Sequence, residues 1–331
     1  MKKILSVMLA ALMLCALFAG CTSNTEKPAD GEAAGTGGGA TALSMATGGT
    51  SGTYYGFSGV VANVLNEKLK DTLKITVEST GASKANIQLV DAGESQLAIV
   101  QNDVMAYAYE AKDMFDGEKA ITSFSAVASC YPEQCQIIAN KNIKSVEDLK
   151  GKKISVGDAG SGVEFNARQI LEAYGISFDD ITVNNQSFAD SADSLKNGTI
   201  DAAFITAGAP TTAVTELAST YEFNILNIDD EHVKILQDKY GFYTPVTIPA
   251  DTYACIKEDV QTVAVMATII AANSVPEEVI YAFTKALFDN KADIAKNHTK
   301  GELLDTKTAV SGISIPFHPG ADKYYTEVGA K

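Results

Sequence analysis

The chain has 331 residues, 46% of them hydrophobic and 20% charged, which is enough for a sizeable core and more than one lobe. A net charge of −15 and a single arginine, Arg168, exclude a basic surface for nucleic acid. The three histidines show no ligand spacing, so neither a metal nor any other cofactor is expected.

Lys2 and Lys3 precede an apolar run from Ile4 to Phe18, followed by Ala19-Gly20-Cys21. That order reads as an export signal over residues 1–20, and the run is short for a membrane span. A cysteine after Ala-Gly resembles the lipobox of bacterial lipoproteins. It implies lipidation at Cys21 and anchoring to the bilayer on the extracytoplasmic face. Residues 21–41 are rich in Gly, Ala, Ser and Thr and read as a flexible tether.

The first folded signal is a strand at Leu43–Ala46, followed by Phe57, Val61, Val64, Leu65 and Leu69 at helical spacing. Between them lies Thr47-Gly48-Gly49-Thr50-Ser51-Gly52-Thr53-Tyr54-Tyr55. A strand, a glycine-rich turn and a helix start leave several backbone N–H groups around one point, with hydroxyls beside them. Two similar units follow. Leu73–Val77 leads through Ser79-Thr80-Gly81-Ala82-Ser83 to a short helix ending at Gly93. Leu97–Val100 leads through Gln101-Asn102-Asp103 to a helix reaching Tyr109. Three such units argue for a parallel α/β sheet, with ligands at the carboxyl ends of its strands.

Strands are expected at Phe124–Ala128 and Gln136–Ala139, joined through Tyr131-Pro132-Glu133. A short helix at Ser145–Gly151 precedes a second α/β set. Its strands are Lys153–Gly157, Ile181–Val183, Ile200–Thr206 and Phe223–Ile228. Its helices run from Ser161 to Tyr174, Ala189 to Lys196, Thr211 onward and Glu231 to Lys239. Ser161 and Glu164 have capping-box spacing. Pro245, Pro249 and Asp251-Thr252-Tyr253 read as an irregular link before the β-branched Val260–Ile270. A helix capped at Ser274 with Glu277 runs to Phe288, and a short last helix lies around Tyr324. The pattern predicts one lobe from 42–130 plus 246–331 and another from 131–245, with crossovers near 130–141 and 241–253. Cys130 and Cys135 flank Pro132, whose turn tendency leaves a disulfide open, although Cys255 makes the count odd.

The ordered motifs carry a closer likeness. Thr47–Tyr55, Glu78–Ser83 with Asn86, Gln101-Asn102-Asp103, Leu149–Gly157, Gly160-Ser161-Gly162, Asn166-Ala167-Arg168 and Ala207–Thr211 are among them. Together they resemble the TAXI family of solute receptors, which serve tripartite ATP-independent periplasmic (TRAP) transporters. The likeness covers Leu43 to the C-terminus. It implies an α/β type II periplasmic-binding-protein fold, in which two lobes with a two-strand hinge close on a solute. It further implies delivery to a TRAP membrane permease of a small anionic solute such as glutamate, glutamine or a dicarboxylate. Cys130 and Cys135 depart from the family's pattern around Tyr-Pro-Glu.

The ligand-binding residues expected in the first lobe are Gly49, Thr50, Ser51, Gly52, Thr53, Tyr54 and Tyr55, then Thr80, Gly81, Ala82 and Ser83, then Gln101, Asn102 and Asp103. Glu133 stands near the crossover, where it would either meet a ligand amino group or remain a solvated charge. The second lobe would contribute Ser161, Gly162, Val163, Glu164, Ala207 and Gly208. Arg168 would either fork a ligand carboxylate or pair with Glu164, four residues before it at the spacing of a surface ion pair. No Gly-x-Ser-x-Gly, Gly-x4-Gly-Lys or His-Glu-x-x-His motif occurs, so a monomeric binding protein is expected rather than an enzyme. The alternatives are an ABC-importer receptor for a sulfonate- or nitrate-type anion, an enzyme on the same fold, and an extracellular sensor or adhesion module.

Overall fold

Strands buried on both faces must be apolar throughout, and such runs form the middle of the sheet. The computed structural model describes residues 40–331; the expected signal, Cys21 and nearly all of the tether lie outside the described residues. The first set is β1 (Thr41–Ala46), α1 (Thr53–Lys68), β2 (Leu73–Glu78), α2 (Ser83–Asp91), β3 (Leu97–Gln101) and α3 (Asn102–Glu110). β1 pairs in parallel with β2 and β3, as three strand-turn-helix units require. Every residue of β3 is buried, whereas β2 alternates as an edge strand does.

β4 (Phe124–Ala139) then leaves this set and opens the second. That second set holds β5 (Lys153–Ser155), α4 (Gly162–Ala173), β6 (Thr182–Asn184), α5 (Phe188–Lys196), β7 (Ala202–Ala207), α6 (Thr212–Ala218), β8 (Asn224–Ile225) and α7 (Asp230–Tyr240). β9 (Thr244–Ile248) and the long β10 (Val260–Ala272) bring the chain back. α8 (Glu277–Asp289), α9 (Lys291–Asn297) and α10 (Pro319–Glu327) complete the first set. One sheet runs β2-β1-β3-β10-β4-β7-β5-β6, with β8 beside β4 and β9 beside β10.

This is the expected two-lobed α/β architecture with a two-strand hinge. The hinge is the antiparallel pair β4 and β10, where Glu133 faces Val265 and Gln134 faces Ala264. Cys130 and Tyr131 pack in the first lobe's core and Cys135 in the second's. On β10, Val263 and Val265 belong to the second core and Ala267 to the first. The return passage therefore lies on β10 and not at 241–253, where β9 pairs beside it instead. The second lobe has a core on each face of the sheet, so Ile137 and Ile138 enter different clusters.

Three local expectations change. β4 is one continuous strand, with Pro132 inside it. β7 pairs with β4 only from Gln134 onward, and opposite Pro132 the Met266 N–H donates to Asn102 Oδ1 at 2.9 Å. The proline's missing donor is therefore tolerated. Five residues apart on that extended strand, Cys130 and Cys135 lie roughly 16 Å apart. This is far beyond disulfide reach, and all three described cysteines are free. The third change is at α8, whose cap position is Pro276 rather than Ser274. Among the described residues no helix is long and apolar enough to cross a membrane.

Candidate functional site

The turns after β1, β2, β3, β5 and β7 converge on one cavity between the lobes, about 540 Å³ with its mouth included. From the first lobe come Gly48, Gly49, Ser51, Gly52, Thr53, Tyr54, Ala82, Ser83 and Gln101, and from the hinge Glu133. The second lobe supplies Asp158, Ser161, Gly162, Val163, Phe188, Thr206 and Ala207. The N-termini of α1, α2 and α4 thus share one space. α1 and α2 have no side-chain cap at Gly52 and Ala82, which leaves their first N–H groups free for a ligand. α4 is capped by Ser161 Oγ, which accepts from Glu164 N at 3.3 Å. Ala82 holds φ 67°, ψ −149°, a conformation strained for any residue with a β-carbon.

Of the expected residues, Gly49, Ser51, Gly52, Thr53, Tyr54, Ala82, Ser83, Gln101, Glu133, Ser161, Gly162, Val163 and Ala207 come together on this lining. The others do not line it. Thr50 and Gly81 are exposed and Tyr55 half-buried. Thr80 ties its own turn, its hydroxyl 3.0 Å from Thr47 O and 2.5 Å from Asn86 Oδ1. Asn102 serves β10, as described. Asp103 accepts from Val104 N and from Asn166 Nδ2 across the lobes at 3.1 Å. Glu164 turns back to accept from Gly160 N at 2.6 Å. The Gly208 carbonyl accepts from Thr53 Oγ1 at 2.9 Å. Arg168 lies 3.9 Å from Glu164 and stacks over Phe178, away from the lining.

Gly48, Asp158, Phe188 and Thr206 were not expected to line the cavity. Gly48, Asp158 and Thr206 lie at a strand's carboxyl end or in the turn after it and Phe188 opens the helix after β6, so the rule used for the first three turns would have found them. Lys300 was also missed. It is buried, and its Nζ donates to Ala209 O at 2.5 Å, joining the C-terminal part of the first lobe to the second. Gln101 Nε2 to Asn166 Oδ1 (3.1 Å) and Gln169 Nε2 to Tyr107 Oη (3.2 Å) also cross between lobes, so this is a closed form.

Glu133 is buried where the hinge passes beneath the cavity. Burial pushes its carboxyl up to about 8, with the Tyr54 hydroxyl only partly offsetting the loss of water. Burial likewise raises Asp103 to about 6. A carboxyl whose folded value is raised makes the folded protein bind more protons, so stability falls as pH rises between its unfolded and folded values. His298 and His318, held low by burial, act oppositely, but only up to their ordinary value of 6.5. From pH 6.5 to 8 the Glu133 contribution should therefore stand alone among these groups. The expected calorimetric result is a wild-type Tm that falls over that interval and a flat profile for Glu133→Gln. A wild-type Tm that rises there would contradict a protonated, buried Glu133. Among the described residues no cluster of three or more His, Cys, Asp or Glu is placed to hold a metal ion.

Fold and cavity together define a two-lobed α/β protein of the solute-binding-protein fold, with a cleft between its lobes. The alkanesulfonate-binding protein SsuA of Xanthomonas axonopodis pv. citri, bound to MOPS, shares the fold at TM-score 0.51 and 16% identity, over 87% of this chain and 84% of that one. A Listeria monocytogenes protein, provisionally described as an L-cystine ABC transporter, matches at TM-score 0.51 and 14% identity over 78% of this chain and 95% of its own. The chain belongs to the NMT1-like family, whose model matches residues 45–329. That match overturns the likeness to TAXI receptors of TRAP transporters, and with it the TRAP permease as partner.

Proposed function

We propose that this protein is the extracytoplasmic receptor of an ABC-type importer, capturing a small solute with an acidic group between two closing lobes. The observation that carries the reading is the meeting of three helix N-termini in one interlobe cavity, two of them without side-chain caps. Such N–H groups and their dipoles bind carboxylate or sulfonate without a cationic side chain. The sulfonate- and amino-acid-type solutes both fit that chemistry. The protein acts by binding and not by turnover, as a monomer, and Ala19-Gly20-Cys21 supports a lipid anchor that holds it beside its permease. The test is a thermal-shift screen of amino acids, dicarboxylates and alkanesulfonates, followed by calorimetry, with NMR over hours to detect turnover. A ligand in large excess over its Kd should raise the Tm by mass action. If no solute raises it, and native mass spectrometry finds none retained from cells, the receptor reading fails. Chemical conversion of a bound solute would favour an enzyme.

A further inference from the structure

We infer that the solute carries a protonated nitrogen as well as its acidic group, and that Glu133 is the counter-charge that selects it. The inference rests on the receptor reading and narrows it. Three oxygens on lining residues are buried without a well-formed protein hydrogen bond, Glu133 Oε1, Gln101 Oε1 and Tyr54 Oη, although the Tyr54 hydroxyl and the Gln101 amide lie near enough to Glu133 to favour its ionised form. Their residues are 1%, 2% and 8% exposed, so bulk water does not reach them. A carboxylate and an amide oxygen accept hydrogen bonds, and a phenol oxygen can. An orphaned buried acceptor is costly and calls for a donor. An ammonium group brings three N–H donors to such acceptors.

The charges agree. Among the described lining residues the charged ones are Glu133, on the hinge, and Asp158, from the second lobe, and no lysine, arginine or histidine accompanies them. A solute with acidic groups alone would satisfy the helix N-termini and leave Glu133 facing it. A solute that also bears an amine satisfies both.

The titratable groups around Glu133 are Tyr54 on α1, Asp103 on α3, Cys130, Tyr131 and Cys135 on β4, and Lys300 of the C-terminal segment. Asp103 opposes ionisation of Glu133, while Tyr54 and Lys300 favour it. Burial dominates and keeps the carboxyl protonated near neutral pH. An arriving ammonium reverses that balance. The carboxylic acid gives up its proton to solvent and pairs as carboxylate with the ammonium, releasing up to one proton per solute bound.

Matched probes test this in the intact protein: L-glutamate against glutarate, L-alanine against propionate, and taurine against ethanesulfonate. Titration calorimetry is run at pH 7 in two buffers of different ionisation enthalpy. In any pair that binds, the amine should bind about ten- to a hundredfold tighter, the scale of a charged hydrogen bond. The buffer dependence should report proton release. Glu133→Gln should bring the amine's affinity down toward that of its partner, and the wild-type pairs stand if that variant fails to fold. Equal or tighter binding of the desamino member, or proton uptake, would overturn the inference and leave the receptor reading intact. If no probe binds but mass spectrometry finds a retained solute, an accurate mass without nitrogen overturns it equally. Absence of both binding and retained solute removes the receptor reading, and the inference with it.

Discussion

Gly162→Val is expected to leave the protein folded and to weaken solute binding at least about tenfold, a loss of 1.4 kcal/mol or more. Gly162 is the first residue of α4 and faces the first lobe across the cavity. A β-carbon there would stand 1.9 Å from Gln101 Oε1, 2.6 Å from Gln101 Cδ and 3.0 Å from Val104 Cγ2. Gln101 cannot swing away freely, because it is 2% exposed and its amide donates to Asn166. Overpacking of this kind costs about 1–3 kcal/mol. The clashing atoms lie on different lobes, so the cost falls on the closed form and not on either lobe alone. Affinity then drops with the fraction of molecules able to close. Gly59→Ala, on the open side of α1 with nothing within 4 Å of the added carbon, is the control. Calorimetry with the identified solute and small-angle scattering of both variants would check this. Wild-type affinity and an unchanged closed fraction in Gly162→Val would show that the bound form lacks this contact.

Gly320→Ala is expected to destabilise the fold itself by about 3 kcal/mol or more, lowering Tm by roughly 6 °C or more. At this glycine α10 approaches the start of α8 so closely that a β-carbon would lie 2.2 Å from Glu277 O and 2.5 Å from Tyr281 N. Both atoms are backbone, so no side chain can turn aside. The helix must instead move off α8. His318 holds this corner as well, with Nε2 3.0 Å from Val275 O and Nδ1 accepting from Gly320 N at 3.3 Å. Differential scanning calorimetry decides the matter. A shift within 2 °C would mean that α10 docks more loosely than the structure shows.

The strand-turn-helix repeats were legible because each depends on neighbours in sequence. Ser161 caps α4 as its spacing indicated, although Glu164 bonds Gly160 N rather than completing the box. The turns rich in small polar residues did mark the cavity, since strand ends in such sheets converge. What escaped were contacts between residues far apart in the chain. Asn166 appeared only as part of a motif, yet its amide joins Gln101, Asp103 and Tyr243 at the lobe interface. Nothing local marks Lys300 as the residue that reaches Ala209 O. Pro132 misled because its effect depends on which neighbouring strand needs its N–H, and only the assembled sheet shows that none does.

The position of β10 has a consequence for how the molecule is made. It is the last strand in sequence but lies between β3 and β4, in the middle of the sheet. Until Val260–Ala272 has been synthesised, the first three strands have no partner on β3's outer side, and β4 lacks one edge along the hinge. Pairings that distant in sequence form slowly. The centre of the sheet can therefore close only after most of the chain has been made, which leaves the longest interval for passage through a narrow pore before the two lobes are joined.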